Sequence, residues 1–462
     1  MASRPQLFGT DGVRGVAGQY PLDPDTVWKL GRALGIVLAK ATSTRPIEVV
    51  LGEDTRESSA GISRTLAAGL RSSAVEVSYA GVIPTPGVAF LTRRHGVAAG
   101  VVVSASHNPY QDNGIKVLAQ TGTKLAEEVE LEIERTLDGT DASAPPGEAP
   151  ELAPLTYLLD DYVGYLHGLA LKGGPLPRYR LLVDCANGAA CRVVPPLVKR
   201  LGMEARIRNA TPDGRNINLA CGSLHPEKMV EETKSWGADL GVAFDGDADR
   251  AVFSTRDGRL ADGDHVLFAV APFYKQHALL KGEAVVGTLM TNLGLELALA
   301  RLGIGLKRAP VGDKYVYEEM LRCGINLGGE PSGHIIFSDL SPAGDGLITL
   351  LQILRLMADT KKSLGDLVGK LRQYPQIIRN VPVRGKPPLE LIPSVARAIS
   401  ESERELGGRG RVVVRYSGTE LLARVMVEAE QAAAVERNAT RIAAAINAAL
   451  GSGATASATL PS

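Results

Sequence analysis

The sequence predicts an α/β protein divided into several domains. Strand-like apolar runs alternate with helical patterns, which is typical of α/β units with parallel strands. The chain has 462 residues, whereas one domain usually holds roughly 100 to 200. We therefore expect three α/β domains at 1–153, 154–258 and 259–374, and a fourth domain at 375–450.

The order of the predicted elements sets the first boundary. In the first domain we predict the strand Ile47–Leu51, the helix Ser58–Arg71, the strand Val75–Tyr79, the helix Pro86–Arg94 and a strand that leads to Ser106. Asp138–Pro154 is rich in Pro, Ala, Gly and acidic residues and has no periodic apolar pattern, so it indicates a linker. The second domain has the helix Tyr157–Leu169, the strand Arg180–Asp184, the helices Ala189–Leu201 and Pro226–Trp236, and the strand Leu240–Phe244.

The remaining elements complete two further domains and a tail. The third domain has the strand Ala284–Gly287 and the helices Leu293–Leu302 and Asp345–Met357, and ends near Tyr374. The fourth has the strand Ile377–Val383, the helix Leu391–Leu406, the strands Arg411–Tyr416 and Ala423–Glu428, and the helix Gln431–Leu450. This last order is typical of an α+β domain. Gly451–Ser462 has the composition of a disordered tail.

Composition limits the class of partner and the compartment. The 51 basic and 51 acidic side chains balance, so no global field attracts nucleic acid or an anionic membrane. The four cysteines show no C-x-x-C spacing, no signal-peptide core begins the chain, and no apolar run reaches the roughly 18 residues of a membrane span. We predict a cytoplasmic, soluble protein that binds a small molecule. The oligomeric state stays open, a homodimer being one alternative.

Ser106 is the candidate nucleophile. The apolar run Val101–Val103 ends in small polar residues that would present its hydroxyl. An ordinary strand-end serine is the competing interpretation, and the Gly-x-Ser-x-Gly pattern of hydrolases is absent because Ser104 and Asn108 flank the site. Ser104, at the end of the same strand, is expected to matter far less, and His107 could equally be a hydrogen-bonded loop histidine.

Three aspartates at alternate positions form the candidate metal site. Asp245, Asp247 and Asp249 follow an apolar run, and in extended backbone alternate side chains share one face. Carboxylate oxygens suit Mg²⁺. Turn formation is the competing interpretation, whereas an EF-hand is excluded because Arg250 and Arg256 occupy the positions of its glycine and glutamate.

Two further loops indicate a phosphorylated sugar as the ligand. Gly328–His334 combines an acceptor, a hydroxyl and an imidazole in a glycine-rich turn, which suits vicinal hydroxyls. Arg415–Glu420 offers a guanidinium, two hydroxyls and flexible backbone amides for a phosphate. Neither a Walker A nor a Gly-x-Gly-x-x-Gly pattern occurs to indicate a nucleotide.

Together these motifs resemble the α-D-phosphohexomutase family over residues 4–450. The resemblance rests on Phe8–Gly15, on Ser104–Pro109 with Asp112–Lys116, and on Cys221–Pro226, which are similar to the members that act on glucosamine phosphate. It implies four domains around a central cleft, three of them α/β and the last a smaller α+β domain.

The resemblance also implies a role for each candidate residue. Ser106 would be the phosphorylated serine, and its phosphate would complete a Mg²⁺ site with Asp245, Asp247 and Asp249. Catalytic support would come from His107, Lys116, Arg14 and Arg250, with Lys116 favoured as the acid/base. The sugar would be held by Glu330, Ser332 and His334, and its distant phosphate by Arg415, Ser417, Gly418, Thr419 and Arg424.

The implied reaction converts glucosamine 6-phosphate to glucosamine 1-phosphate, a precursor of UDP-N-acetylglucosamine, through glucosamine 1,6-bisphosphate. A hexose 1,6-bisphosphate would be the activator. One alternative is a phosphoglucomutase or phosphomannomutase with the same mechanism. Another is a non-catalytic sugar-phosphate sensor, but a sensor has no need of the phosphoryl donor Ser106.

Three positions depart from the family pattern. Ala248 stands where many members have glycine, and we expect it to be tolerated only if its φ is negative. Pro331 replaces Gln or Met in the sugar loop and removes a backbone donor, which bears on sugar specificity. Tyr416 and Leu421 replace prolines that commonly flank the phosphate loop.

Overall fold

The structure is a computed structural model that describes residues 7–9, 11–42, 46–140, 149–417, 420–452 and 457–459. It confirms the predicted α/β class with an α+β domain at the C-terminal end. The chain forms two compact units. One contains Met1–Thr288 and Ala309–Val368, and the other contains Leu289–Arg308 and Gly369–Ser462.

The first sheet has the strand order β1-β5-β4-β2-β3. Its elements are β1 (Val13–Val16), α1 (Pro24–Ala41), β2 (Ile47–Glu53), α2 (Ser59–Arg71), β3 (Val75–Val82), α3 (Thr85–His95), β4 (Ala99–Val103), β5 (Asp112–Ala119) and α4 (Glu127–Asp138). β2 is parallel to β3 and β4, as predicted, but β5 is antiparallel to β4. The connection at 104–111 is too short for the crossover that a parallel pair requires.

Helices α1 and α2 pack against each other at very short range. Asp23 caps α1 by accepting a hydrogen bond from the Thr26 N–H at 3.0 Å, and Pro24 begins the helix. Gly31 and Gly69 allow the two backbones to meet, because a Cβ on Gly69 would lie 2.1 Å from the Trp28 carbonyl oxygen. The buried core of this domain lies between these helices and the sheet.

The second sheet repeats the arrangement, with the order β10-β9-β8-β6-β7. Its elements are α5 (Thr156–Leu171), β6 (Arg180–Asp184), α6 (Ala190–Arg200), β7 (Glu204–Arg208), α7 (Glu227–Trp236), β8 (Leu240–Phe244), β9 (Ala251–Thr255) and β10 (Leu260–Ala261). β8 is parallel to β6, whereas β9 returns antiparallel to β8 after the short loop 245–250.

The third group of elements contains α8 (Gly263–Gln276), β11 (Ala284–Thr288), α9 (Leu293–Ala300), β12 (Gly305–Ala309), α10 (Asp313–Cys323), β13 (Leu327–Gly329), β14 (Ile335–Phe337), α11 (Gly346–Thr360) and α12 (Leu364–Val368). β13 is parallel to β11, and β14 runs antiparallel to β13 after the loop 330–334.

The last sheet, in the second unit, is antiparallel in the order β16-β17-β15-β18. Its elements are β15 (Gln376–Pro382), α13 (Pro393–Leu406), β16 (Gly410–Tyr416), β17 (Leu422–Ala429), α14 (Ala432–Leu450) and β18 (Ser457–Thr459). β18 differs from the predicted disordered tail: it pairs with β15, whose outer edge otherwise offers unpaired backbone groups. The rest of that tail beyond residue 452 lies outside the described residues.

All four loops singled out from the sequence connect antiparallel neighbours in these sheets. They are 104–111 after β4, 245–250 after β8, 330–334 after β13 and 417–421 after β16. The strands β4, β8 and β13 are buried along their whole length. Each of these three loops is therefore held by a rigid strand on either side. Among the described residues, no helix is both long and apolar enough to cross a membrane.

Candidate active site

Ser106 lies directly against the loop 245–250, called the aspartate loop below. It is 2 % exposed and has a left-handed backbone with φ of 52°. Its hydroxyl donates a hydrogen bond to Asp245 Oδ2 at 2.6 Å and lies 3.3 Å from His107 Nδ1. The predicted nucleophile and the predicted metal site are thus parts of one site.

The three aspartates converge as predicted, but for a different reason. Asp245, Asp247 and Asp249 are buried, and each places one carboxylate oxygen within 4.8 Å of the others. The loop is a turn and not extended backbone. The turn, and not alternation along a strand, brings the three side chains together.

The expectation that alanine at position 248 is tolerated only at a negative φ is wrong. Its φ is 55°, a conformation that costs an L-residue roughly 1–2 kcal/mol. The Ala248 N–H donates to the Asp245 carbonyl at 3.1 Å, and its own carbonyl accepts from the Gly346 N–H at 3.0 Å. The methyl group is fully buried, which returns about 0.8 kcal/mol.

The aspartate loop fits a divalent cation. In the part of the chain that the structure describes, Asp247 Oδ1 and Asp249 Oδ1 are buried without a hydrogen-bond partner. Burial, followed by the charges of Asp249 and Asp247, raises the pKa of Asp245 well above its usual range. A cation with a preference for oxygen ligands would satisfy these oxygens and relieve the repulsion.

Lys116 is the main cation beside this loop. Its Nζ lies 2.8 Å from Asp247 Oδ2, 3.2 Å from Asp11 Oδ2 and 3.7 Å from Asp249 Oδ2. Burial opposes its charge, but the three carboxylates outweigh burial and raise the pKa of Lys116. The side chain is therefore protonated at neutral pH.

Arg14 and Arg250 lie on either side of the serine. Arg14 Nη1 donates to the Ala105 carbonyl at 3.3 Å, and Arg14 also pairs with Asp11. The Arg250 backbone N–H donates to Asp245 Oδ1 at 3.1 Å, while its Nε has no hydrogen-bond partner among the described residues. The same Nε lies 3.9 Å from Asp249 Oδ1, an ion pair too long for a hydrogen bond, so Nε can still donate to an anion.

His107 is neutral at physiological pH. Burial, and then the charges of Arg250 and Arg14, lower the pKa of His107 to about 4. A neutral imidazole beside the serine hydroxyl can accept a proton.

A cavity of about 440 Å³ opens beside Ser106 and His107, and Arg14, Arg250, Glu330 and His334 line it. Glu330 Oε1 accepts the Gly312 N–H at 3.0 Å. Burial opposes a charge on His334, but Asp249, whose Oδ2 lies 3.6 Å from His334 Nδ1, raises the pKa of His334 to about 9.

Ser332 differs from its neighbours in the sugar loop. Its buried hydroxyl has no partner in the described structure, and it is not among the residues that line the cavity. Glu330 and His334 therefore line the cavity beside Ser106, whereas Ser332 does not.

The loop 417–421 in the second unit, called the phosphate loop, joins β16 to β17. Arg415 and Arg424 lie directly opposite each other on these strands, an unfavourable like-charge pair in which Arg424 is already paired with Glu420 Oε2 at 3.1 Å. Burial, and then Arg424, lower the pKa of Arg415. The Ser417 carbonyl accepts a hydrogen bond from Lys386 Nζ at 2.7 Å, and Gly418 and Thr419 lie outside the described residues.

Several residues of the site were not identified from the sequence. Thr85 Oγ1 donates to Asp247 Oδ2 at 2.6 Å, and Asn218 Nδ2 donates to the Ser106 carbonyl at 2.9 Å. Lys124 bridges Asp11 and Asp313 at 2.7 and 2.6 Å. Asp11 lies within the motif Phe8–Gly15 and Asn218 lies three residues before Cys221–Pro226, so both could have been suspected, whereas the others carry no local signal.

Comparison with known proteins finds the same family along the chain. Profiles described as phosphoglucomutase/phosphomannomutase domains I, II, III and C-terminal domain match residues 5–144, 161–258, 262–374 and 379–445. A phosphoglucosamine mutase of Koribacter versatilis is 50 % identical over 96 % of this chain and 97 % of the relative. One of Solibacter usitatus is 47 % identical over 96 % and 99 %.

Solved structures agree. A phosphoglucomutase/phosphomannomutase family protein of Burkholderia thailandensis has a TM-score of 0.77 at 25 % identity, covering 99 % of this chain and all of that one. The Aspergillus fumigatus N-acetylphosphoglucosamine mutase, in complex with GlcNAc-6P and magnesium, shares the fold, with a TM-score of 0.64 at 18 % identity over 96 % of each chain. The four matched domains and the full-length relatives show that this chain belongs to the phosphoglucomutase/phosphomannomutase family.

Proposed function

We propose that this chain interconverts glucosamine 6-phosphate and glucosamine 1-phosphate in the cytoplasm. Ser106 carries the phosphoryl group, and glucosamine 1,6-bisphosphate is the intermediate. The observation that carries this proposal is the 2.6 Å hydrogen bond from the Ser106 hydroxyl to Asp245, which joins a nucleophile to a carboxylate cluster suited to a cation. The relatives that are phosphoglucosamine mutases support glucosamine as the sugar.

Asp245, Asp247 and Asp249 would hold Mg²⁺, and the phosphate on Ser106 would complete the site. When bound, the ion neutralises charge on the phosphoryl oxygens, which is the main requirement of phosphoryl transfer. Arg14 and Arg250 add positive charge at the same place, since both line the cavity that contains Ser106.

Proton transfer needs one acid and one base. The oxygen of a sugar hydroxyl forms a bond to phosphorus while the bond from phosphorus to Ser106 Oγ breaks, so the hydroxyl loses a proton and Oγ gains one. Lys116 stays the favoured acid/base: it carries a proton to donate, although the three carboxylates that raise its pKa hold that proton tightly. His107 is the candidate base because its pKa of about 4 keeps it neutral.

The sugar loop and the phosphate loop would hold the rest of the substrate. Glu330 and His334 offer an acceptor and a donor to the hydroxyls, with Ser332 as the weaker candidate. The non-reacting phosphate would be bound by Arg415, Ser417, Gly418, Thr419 and Arg424. An anion between Arg415 and Arg424 would relieve the like-charge pair that they form on opposite strands.

Arg415→Lys is expected to weaken substrate binding and to release bisphosphate during turnover. Lysine keeps the charge but loses the planar fork that holds phosphate through two donors. We expect KM to rise about 10-fold, the cost of one hydrogen bond to a charged group. Steady-state kinetics with assay of free bisphosphate checks this, and the exposed Arg397→Lys on α13 is the matched control. Unchanged kinetics without released bisphosphate would show that Arg415 does not hold the non-reacting phosphate.

The experiment that tests the proposed function is a panel of sugar phosphates with Mg²⁺ and glucose 1,6-bisphosphate. Glucosamine 6-phosphate should give the highest kcat/KM. A preference for glucose or mannose phosphates would assign the chain to the alternative activity of the family. Binding without turnover of any of them would indicate a sensor.

A further inference from the structure

Arg56 is a fully buried arginine that the mechanism does not use. A guanidinium has five N–H donors, and all five are engaged. Nε donates to Asp54 Oδ2 at 2.9 Å. The other four donate to backbone carbonyl oxygens in the serine loop (residues 104–111) and at Asp112, which follows it. Nη2 donates to Ser106 at 3.0 Å and to Asn108 at 2.8 Å. Nη1 donates to Pro109 and, at 3.0 Å, to Asp112.

Asp54 extends this contact to the backbone of the nucleophile. Its Oδ2 accepts the Ser104 hydroxyl at 2.7 Å, and Ser104 Oγ in turn accepts the Ser106 N–H at 3.0 Å. The peptide groups on both sides of Ser106 are therefore held, its N–H through Ser104 and its carbonyl by Arg56. None of these side chains is more than 3 % exposed.

This arrangement addresses a specific difficulty of the loop. Ser106 has a φ of 52°, which an L-residue adopts only when its surroundings enforce it. The aspartate loop also packs closely against the Ser106 backbone, because a Cβ on Gly246 would lie 2.4 Å from the Ser106 carbonyl oxygen. A small shift of the serine backbone would move Oγ away from Asp245.

A buried ion pair that merely stabilises the fold is the plainer interpretation of Asp54 and Arg56. Such a pair would join distant elements and spread its hydrogen bonds among them. Instead, four of the five Arg56 donors go to residues 106–112. The distribution of the bonds favours a role in placing the nucleophile.

We propose that Asp54, Arg56 and Ser104 are positioning residues that hold Ser106 in line for phosphoryl transfer. The proposal rests on the proposed function, since it assumes that Ser106 is the phosphoryl carrier. It gives Ser104 a role in placing the nucleophile, although loss of Ser104 is still expected to cost far less activity than loss of Ser106. A misplacement of about 1 Å can cost roughly 100-fold in rate, so the three residues should act on kcat and leave KM for the sugar phosphate almost unchanged.

Ser104→Ala and Ser59→Ala form a matched pair for the test. Both serines are fully buried, and both donate to Asp54, Ser59 to Oδ1 at 2.8 Å, but only Ser104 accepts the Ser106 N–H. Each variant is incubated with glucose 1,6-bisphosphate and Mg²⁺, and kcat is divided by the fraction of chains that mass spectrometry shows phosphorylated. We expect this kcat to fall at least about 10-fold for Ser104→Ala, and less than about 3-fold for Ser59→Ala, at similar losses of melting temperature.

Arg56→Lys is the second variant, because one ammonium group cannot reach the four carbonyl oxygens. Its kcat per phosphorylated chain should fall about 100-fold with KM within about 2-fold of wild type. Wild-type kcat per phosphorylated chain in either variant, or an equal loss in Ser59→Ala, would overturn the positioning role. Wild-type enzyme that takes up no phosphate would instead contradict the proposed function.

Discussion

Ser106→Ala is expected to lose essentially all mutase activity while its fold and its binding of sugar phosphate stay intact. The hydroxyl is the phosphoryl carrier in each half of the cycle, so positioning by the remaining groups cannot replace it. We expect kcat to fall at least about 10⁴-fold, as for other lost nucleophiles. Within the described structure the side chain makes two polar contacts, to Asp245 and His107, so its removal leaves the loop supported by Arg56 and Asn218.

Intact-protein mass spectrometry after incubation with glucose 1,6-bisphosphate and Mg²⁺ measures the cause directly. Wild type should gain one phosphate and Ser106→Ala none. Ser235→Ala, an exposed serine on α7, is the control and should behave as wild type. Phosphate on another residue, together with preserved activity in Ser106→Ala, would refute the mechanism.

Asp247→Asn is expected to have the second largest effect, through loss of Mg²⁺. Asp247 Oδ2 is already bonded to Thr85 and Lys116, which leaves Oδ1 for the cation. An amide keeps the shape but removes the charge, so Mg²⁺ affinity should fall at least about 100-fold, beyond the cost of losing an outer-shell partner. Without Mg²⁺ the variant should stay folded, because reduced repulsion among the three buried carboxylates offsets the loss of the buried ion pair between Asp247 and Lys116.

Titration of activity with Mg²⁺ and a melting curve check both parts of this prediction. Asp257→Asn, an exposed aspartate after β9, is the control and should leave the Mg²⁺ dependence unchanged. Near-normal activity of Asp247→Asn at low Mg²⁺ would remove the metal role from this loop.

The sequence predicted the parts of the site that lie within one short segment. An apolar strand followed by Ser-His-Asn-Pro identified Ser106, and three aspartates at alternate positions identified the cation site. The reason given for the aspartates was wrong, since they lie in a turn with Ala248 at positive φ. Residue types and spacing indicated the chemistry, although the backbone conformation was not that of a strand.

Contacts between distant segments could not be predicted. Arg56 reaches the serine loop from 50 residues away, and Thr85 meets Asp247 across 162. No local pattern marks such pairs, because they arise only when β2, β4 and β8 are packed. Ser104 shows the consequence: it was predicted to matter far less than Ser106, and the link that its hydroxyl makes between Asp54 and the Ser106 N–H was not foreseen.

The lengths of two loops, by contrast, indicate strand direction from the sequence alone. The serine loop at 104–111 and the aspartate loop at 245–250 are too short for parallel crossovers, so each is a hairpin connection between antiparallel strands. The prediction of α/β units with parallel strands did not include β5 and β9, which run antiparallel to their neighbours.

The most direct test of the central claim follows the phosphoryl group through a single turnover. Enzyme labelled on Ser106 with radioactive phosphate is mixed with an equal amount of unlabelled glucosamine 6-phosphate and Mg²⁺. We expect label to leave Ser106 and to appear first in glucosamine 1,6-bisphosphate and then in glucosamine 1-phosphate, while Ser106 takes up the unlabelled phosphate from position 6. Label that stays on the protein while glucosamine 1-phosphate forms, or that leaves only as inorganic phosphate, would contradict the central claim.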